Sequence, residues 1–121
     1  MSAAVVVIGS GTKVFTAGVV SGELRVLESP ADVIELMDSG AQGVVALVHD
    51  AGATFLAPIF HELTGVLCTG GTPRSHIVIV SREFQVPCLM ACSFPDGEPA
   101  SGRLVEVDCS SAVGEPGVLR G

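Results

Sequence analysis

Residues 29 to 48 constrain the fold of this chain most. Ser29-Pro30-Ala31-Asp32 has the form of a helix start. A capping residue comes first, then a proline at the first helical position, then an acid facing the positive helix end. Val33, Leu36 and Met37 repeat at helical spacing, and Gly40 closes the helix. Gly43 to Val48 follows as a short, wholly apolar run. A strand apolar on both faces must be covered on both, which is the condition of a parallel strand flanked by helices. A helix leading straight into such a strand predicts an α/β domain.

The remaining segments fit that class. Val5 to Ile8 predicts a buried strand stopped by Gly9-Ser10-Gly11. Val14-Phe15 and Val19 to Val26 predict further strand, broken at Gly18 and Gly22. Phe55 to Leu63 predicts a helix that Pro58 kinks or begins, and Gly65-Val66-Leu67 another short strand. Pro87 to Ala91 predicts a strand, Gly97 to Gly102 a turn region, and Leu104 to Val107 a strand alternating apolar and acidic residues. Val113 to Leu119 offers a last short strand, weakened by Gly114, Pro116 and Gly117. With a helix after His76, the count is three helices interleaved with strands. The 121 residues suit a single compact domain spanning 1–121.

Composition removes several function classes. The net charge of −7 repels nucleic-acid phosphate and anionic membranes, and without Trp or Tyr there are few platforms for bases. We therefore expect no nucleic-acid and no membrane partner. No apolar run approaches the ~18 residues of a membrane helix. Ala3 to Ile8 has no basic residue before it, so a signal peptide is not expected and the cytoplasm is the default location. Cys68, Cys88, Cys92 and Cys109 form no CxxC pair and read as reduced core thiols; no metal site is predicted.

The richest chemistry lies in Gly70-Gly71-Thr72-Pro73-Arg74-Ser75-His76-Ile77-Val78-Ile79-Val80-Ser81-Arg82-Glu83, closing on Pro87. By propensity the β-branched run after His76 favours a strand. Thr72 as N-cap, Pro73 at N1 and a shared face of Ile77, Val80 and Phe84 favour a helix. A helix there would set His76 at its mouth. A phosphoryl carrier needs a nucleophile partly neutral at working pH, which an imidazole of pKa ~6.5 satisfies. Free N–H groups at a helix start hold phosphate oxygens, and the dipole favours their charge. Thr72 and Ser75 can add hydrogen bonds, and Arg74 or Arg82 a charge-assisted one. Gly70 and Gly71 allow a sharp turn that leaves room for substrate. The competing reading is an ordinary first-turn histidine. His49 reads as a loop residue and His61 as part of a solvated helix face.

Gly70, Gly71, Ser75, His76, Ile79, Arg82, Glu83 and Pro87 resemble the signature of the mobile phosphohistidine domain of phosphoenolpyruvate synthase, pyruvate phosphate dikinase and their relatives. Thr16-Ala17-Gly18-Val19-Val20-Ser21-Gly22 is similar to that family's opening segment, and Gly102 to Asp108 to its closing strand. The resemblance covers about residues 14–118. Three departures stand out: three residues, Thr72-Pro73-Arg74, between Gly71 and Ser75 where two are usual; Ile77-Val78 in place of a small pair, which would crowd a partner's approach; and Ala17 in place of proline. The resemblance implies a swivelling β/β/α fold with the signature helix in its helical layer, and a phosphoryl group carried on His76. It implies a free-standing phosphotransferase component with no cofactor of its own. Mg and ATP or phosphoenolpyruvate would belong to partner subunits, one binding nucleotide and one binding phosphoenolpyruvate or another acceptor.

Three alternatives remain. The chain could be a non-catalytic regulatory or interaction module that keeps the fold. It could be a swivelling domain of the kind found in an unrelated hydro-lyase, which would not require the Ser-His and Glu spacing. Val5 to Gly11 could begin a nucleotide-binding turn, although Val14 stands at the third glycine position and Lys13 does not complete a P-loop.

Overall fold

The structure, a computed structural model, describes residues 6–49, 56, 58–70, 76–112 and 114–121, and of His76 the backbone alone. The elements in chain order are β1 (Val7–Lys13), β2 (Val19–Val26), α1 (Pro30–Ser39), β3 (Val44–Val48), a 3-10 turn (Phe60–Glu62), β4 (Gly65–Cys68), α2 (His76–Phe84), β5 (Cys88–Ser93), β6 (Leu104–Asp108) and β7 (Gly117–Arg120). Among the described residues these strands close into a barrel in the order β1-β5-β4-β3-β2-β6-β7. The β2-β3-β4-β5 neighbours run parallel, and every other pair is antiparallel. The architecture is mixed α/β, as expected.

The apolar run of β3 explains the layering. Val45 and Leu47 join Leu24, Leu67, Leu89, Val105, Val107 and Leu119 in one buried cluster. Val44, Ala46 and Val48 join a second cluster with Val33, Leu36, Phe60, Ile77 and Val78. Alternate residues thus serve the barrel interior and the layer beneath the helices, so all five are buried.

α1 forms where its local signals put it. The Asp32 carboxylate accepts from the backbone N–H of Glu28 (2.8 Å) and Ser29 (3.2 Å), which satisfies donors at the helix start. Gly40, at φ +94°, ends the helix while its N–H bonds to Leu36 (2.7 Å). Val33 and Leu36 are buried, but Met37, expected on the same stripe, is exposed.

Several expectations are corrected. β1 does not stop at Gly9-Ser10-Gly11; it runs through them to Lys13. A methyl at Gly9 would lie 2.5 Å from the Phe94 ring, and one at Gly11 would lie 2.8 Å from the Met90 carbonyl oxygen. These glycines admit close neighbours within a strand rather than making a turn. The nucleotide-binding alternative falls with them, because β1 leads to another strand and the Lys13 ammonium is held by the carbonyls of Ser111 (2.5 Å) and Ala112 (2.7 Å). β2 likewise continues through Gly22, while Val14-Phe15 is not strand.

The expected helix at 55–63 is, within its described part, only the turn Phe60–Glu62. Ile59 bonds back to Leu56, Glu62 to Ile59 and Leu63 to Phe60, all at three-residue spacing. Two α-helices rather than three are therefore present among the described residues. The last strand is confined to Gly117–Arg120.

On the outer face of β6 and β7, Arg120 pairs with Glu106 (2.9 Å) and Asp108 (2.8 Å). Hydrogen bonds from the Ser110 hydroxyl and N–H, then from Arg120, hold the Asp108 carboxyl down at about 2. Its unfolded value is ~3.9, so its contribution is complete above that value and lost as pH falls towards 2. Asp108→Asn should therefore be less stable than the parent at neutral pH. The gap should close between about pH 4 and pH 2, as read from melting temperature against pH.

Candidate functional site

The parallel strands define the working end of the molecule. α1 links β2 to β3, and α2 links β4 to β5. Both helices therefore start at the end where the parallel strands finish. α/β folds bind ligands there, because helix N-termini and loops converge on that edge. The residues leaving that edge are Glu28 after β2, His49 after β3, Thr69 and Gly70 after β4, and the loop that holds Glu98 after β5.

His76 is the first described residue of α2. The contested run after it is helical despite its β-branched content. Ile77, Val78 and Ser81 are buried on one face, and the Ser81 hydroxyl is satisfied by the Val78 carbonyl (3.1 Å). Burying that face against the barrel outweighs strand propensity. Of the face expected to carry Ile77, Val80 and Phe84, Ile77 is buried and Val80 packs partly buried against the same cluster, while Phe84 is exposed along with Ile79, Arg82 and Glu83. Phe84 still packs on Phe60, with ring centroids 6.3 Å apart. The helix ends at Gln85, at φ +57°, with Val86 N–H bonded to the Ser81 carbonyl (3.0 Å). That is a left-handed C-terminal stop, with Pro87 following.

Burial of Ile77 and Val78 changes the meaning of one departure. Each is 1% exposed, so these bulky residues face the core rather than the approach to His76. The predicted crowding does not arise from them.

Gly70 is held at the root of the loop to His76. Its carbonyl accepts from the Ala91 N–H (3.2 Å), and a methyl on it would lie 3.4 Å from the His49 carbonyl oxygen. Arg82 stands in the last turn of α2, about 9 Å along the axis from His76. Its guanidinium donates to the Val14 carbonyl (3.3 Å), tying the helix to the β1–β2 connection. Gly71, Thr72, Arg74 and Ser75, with the Thr72-Pro73 cap, lie outside the described residues, as does the His76 side chain.

The sequence reading missed the company of His49. Its Nε2 lies 2.8 and 3.0 Å from the two carboxylate oxygens of Glu98, and its Nδ1 lies 3.9 Å from Glu28. These acids come from separate loops, so no local spacing announced them. The cysteine expectation can be put in physical terms: Cys68, Cys88, Cys92 and Cys109 are all buried. Burial pushes the Cys92 thiol up to about 12 and Cys109 to about 11, and raises Cys88 as well. Thiols so shifted are poor nucleophiles. No helix among the described residues is long and apolar enough to cross a membrane.

Comparison with protein families matches residues 40–112 to the family described as PEP-utilising enzyme, mobile domain. That span runs from the end of α1 past β6 and includes the whole signature. The chain belongs to this family of phosphotransferase domains, and membership supports a phosphoryl-carrier role in general. No curated protein matches the sequence.

Proposed function

We propose that this chain is the mobile phosphoryl-carrier component of a multicomponent phosphotransferase, and that His76 is the residue transiently phosphorylated. The observation that carries the reading is the position of His76. It is the first described residue of α2, the element that follows the parallel strand β4 in the chain, within the span matched by the mobile-domain family. The swivelling β/β/α fold belongs to the same proposal.

In the charging step a ring nitrogen of neutral His76 attacks the transferable phosphorus of the donor. The N–P bond forms as the P–O bond to the donor breaks, and the leaving oxygen keeps the electron pair. In the discharging step an acceptor oxygen attacks phosphorus and the N–P bond breaks, returning the pair to the imidazole. The N–H groups at the start of α2 and the helix dipole stabilise the phosphoryl charge in both states. In this proposal the hydroxyls of Thr72 and Ser75 add hydrogen bonds to the phosphoryl oxygens, Arg74 adds a charge-assisted one, and Gly70 and Gly71 leave room for the incoming substrate. Arg82 serves this loop indirectly, by fixing the far end of α2 on Val14. Nucleotide, Mg and phosphoenolpyruvate or another acceptor bind on partner subunits.

The test is phosphoryl transfer to the protein in the presence of a nucleotide-binding or phosphoenolpyruvate-binding partner subunit, using labelled nucleotide or phosphoenolpyruvate. Acid-labile, base-stable label is expected, and His76→Ala should carry none. Label that persists in His76→Ala defeats the assignment. A wild-type chain that binds its partner and takes up no label is instead the non-catalytic module.

A further inference from the structure

Among the described residues two non-glycines have positive φ: Gln85 (+57°) and Ala91 (+51°). Gln85 ends a helix, where that conformation is routine. Ala91 lies inside β5, where it is not. A Cβ makes the left-handed region unfavourable, so something must hold Ala91 there.

The strand pairing shows how it is held. β1 and β5 are in register at Ser10–Ser93 and again at Thr12–Met90, with a shift between. Gly11 alone therefore faces both Ala91 and Cys92, which is a β-bulge. The Ala91 side chain is exposed, so burying it does not offset the strain. The backbone supplies the reason. The β4–β5 ladder pairs Val66 with Cys88 and Leu67 with Leu89. Beyond it, the bulge turns the Ala91 N–H onto the Gly70 carbonyl (3.2 Å).

We propose that the Ala91 bulge is a positioning device for the phosphohistidine loop: its strained N–H clamps the carbonyl of Gly70 and so fixes where the chain leaves β4 on its way to His76. The His49 carbonyl bounds Gly70 on another side, so the loop root is held between β5 and the residue that follows β3. The inference rests on the carrier role of His76. Ala91 touches no phosphoryl group and acts through Gly70.

Two measurements test it. Hydrogen exchange of the intact wild-type chain should show a protected Ala91 amide, although its residue is exposed; exchange as fast as that of an open turn overturns the clamp. The second is the labelling assay on variants. Ala91→Val places a β-branched residue where the left-handed region is an outlier, whereas Ala91→Gly adopts it freely. Per folded molecule, Ala91→Val should be phosphorylated about ten-fold more slowly or worse, because displacing a reacting group by about 1 Å can cost still more. Ala91→Gly should match wild type. A folded Ala91→Val with wild-type rates, beside a labelled wild type, overturns this inference alone. An unlabelled wild type overturns the carrier reading itself. If Ala91→Val does not fold, amide exchange of the wild type decides.

Discussion

Ile77→Ala is expected to lower folding stability by about 2–5 kcal/mol, the usual cost of emptying a buried isoleucine site. A domain of this kind holds about 5–15 kcal/mol in all, so the loss is a large share. Ile77 is 1% exposed and belongs to the cluster that includes Phe60, Val66, Val78 and Cys88, between α2 and the barrel. The cavity would open directly beneath the first turn of the signature helix, under the residue next to His76. Denaturant unfolding reads the effect as a lower midpoint with an unchanged slope.

The same substitution separates two views of the departure at Ile77-Val78. If those side chains obstructed a partner, the smaller alanine would speed phosphoryl transfer per folded molecule. Because they face inward, stability should fall with no gain in rate. A faster Ile77→Ala variant of undiminished stability would mean that the helix presents this face outward.

What the sequence disclosed follows the range of the interactions involved. α1 was readable because its start, stripe and stop lie within a dozen residues, and the Asp32 contacts are local. β3 was readable because an apolar run of that length states its need for cover on both faces. α2 was partly readable. Its proline and hydroxyls argued for a helix, but the face it buries depends on where the barrel lies, and Ser81 rather than Phe84 completes that face. The expected stop at Gly9-Ser10-Gly11 failed for a related reason. A glycine required by Phe94 or by the Met90 carbonyl across a sheet has the same local appearance as a glycine required by a turn. At the candidate site, the place of Gly70 after β4 and of His76 on α2 was legible from order alone. The Glu98–His49 contact and the Ala91–Gly70 hydrogen bond were not, because each joins segments that only the barrel brings together. An alanine gives no sequence sign that it will take a left-handed conformation.

Gly11→Ala is expected to destabilise the chain by about 1–3 kcal/mol or more through overpacking, and more than Gly9→Ala does. The added methyl at Gly11 would meet the Met90 carbonyl oxygen and the Cys92 Sγ, each at 2.8 Å, and Leu89 Cβ at 3.2 Å. A carbonyl fixed in β5 cannot swing aside, so β1 and β5 must separate. At Gly9 the two nearest atoms belong to the Phe94 ring, which is only partly buried and can rotate away, and the backbone obstacle, the Ser93 carbonyl oxygen, lies further off at 3.0 Å. The ranking therefore tests whether the bulge is rigid: equal costs would mean that it yields as easily as a side chain. Gly11 also faces the bulge that carries Ala91. Gly11→Ala should accordingly disturb the Ala91–Gly70 hydrogen bond, and its effect should not add independently to that of Ala91→Gly. A double-mutant cycle on unfolding free energy should return a coupling of at least about 0.5 kcal/mol, as for residues in direct contact. If the two costs simply add, Gly11 and Ala91 do not form one unit, and the loop root at Gly70 is held by β4 and β5 without help from β1.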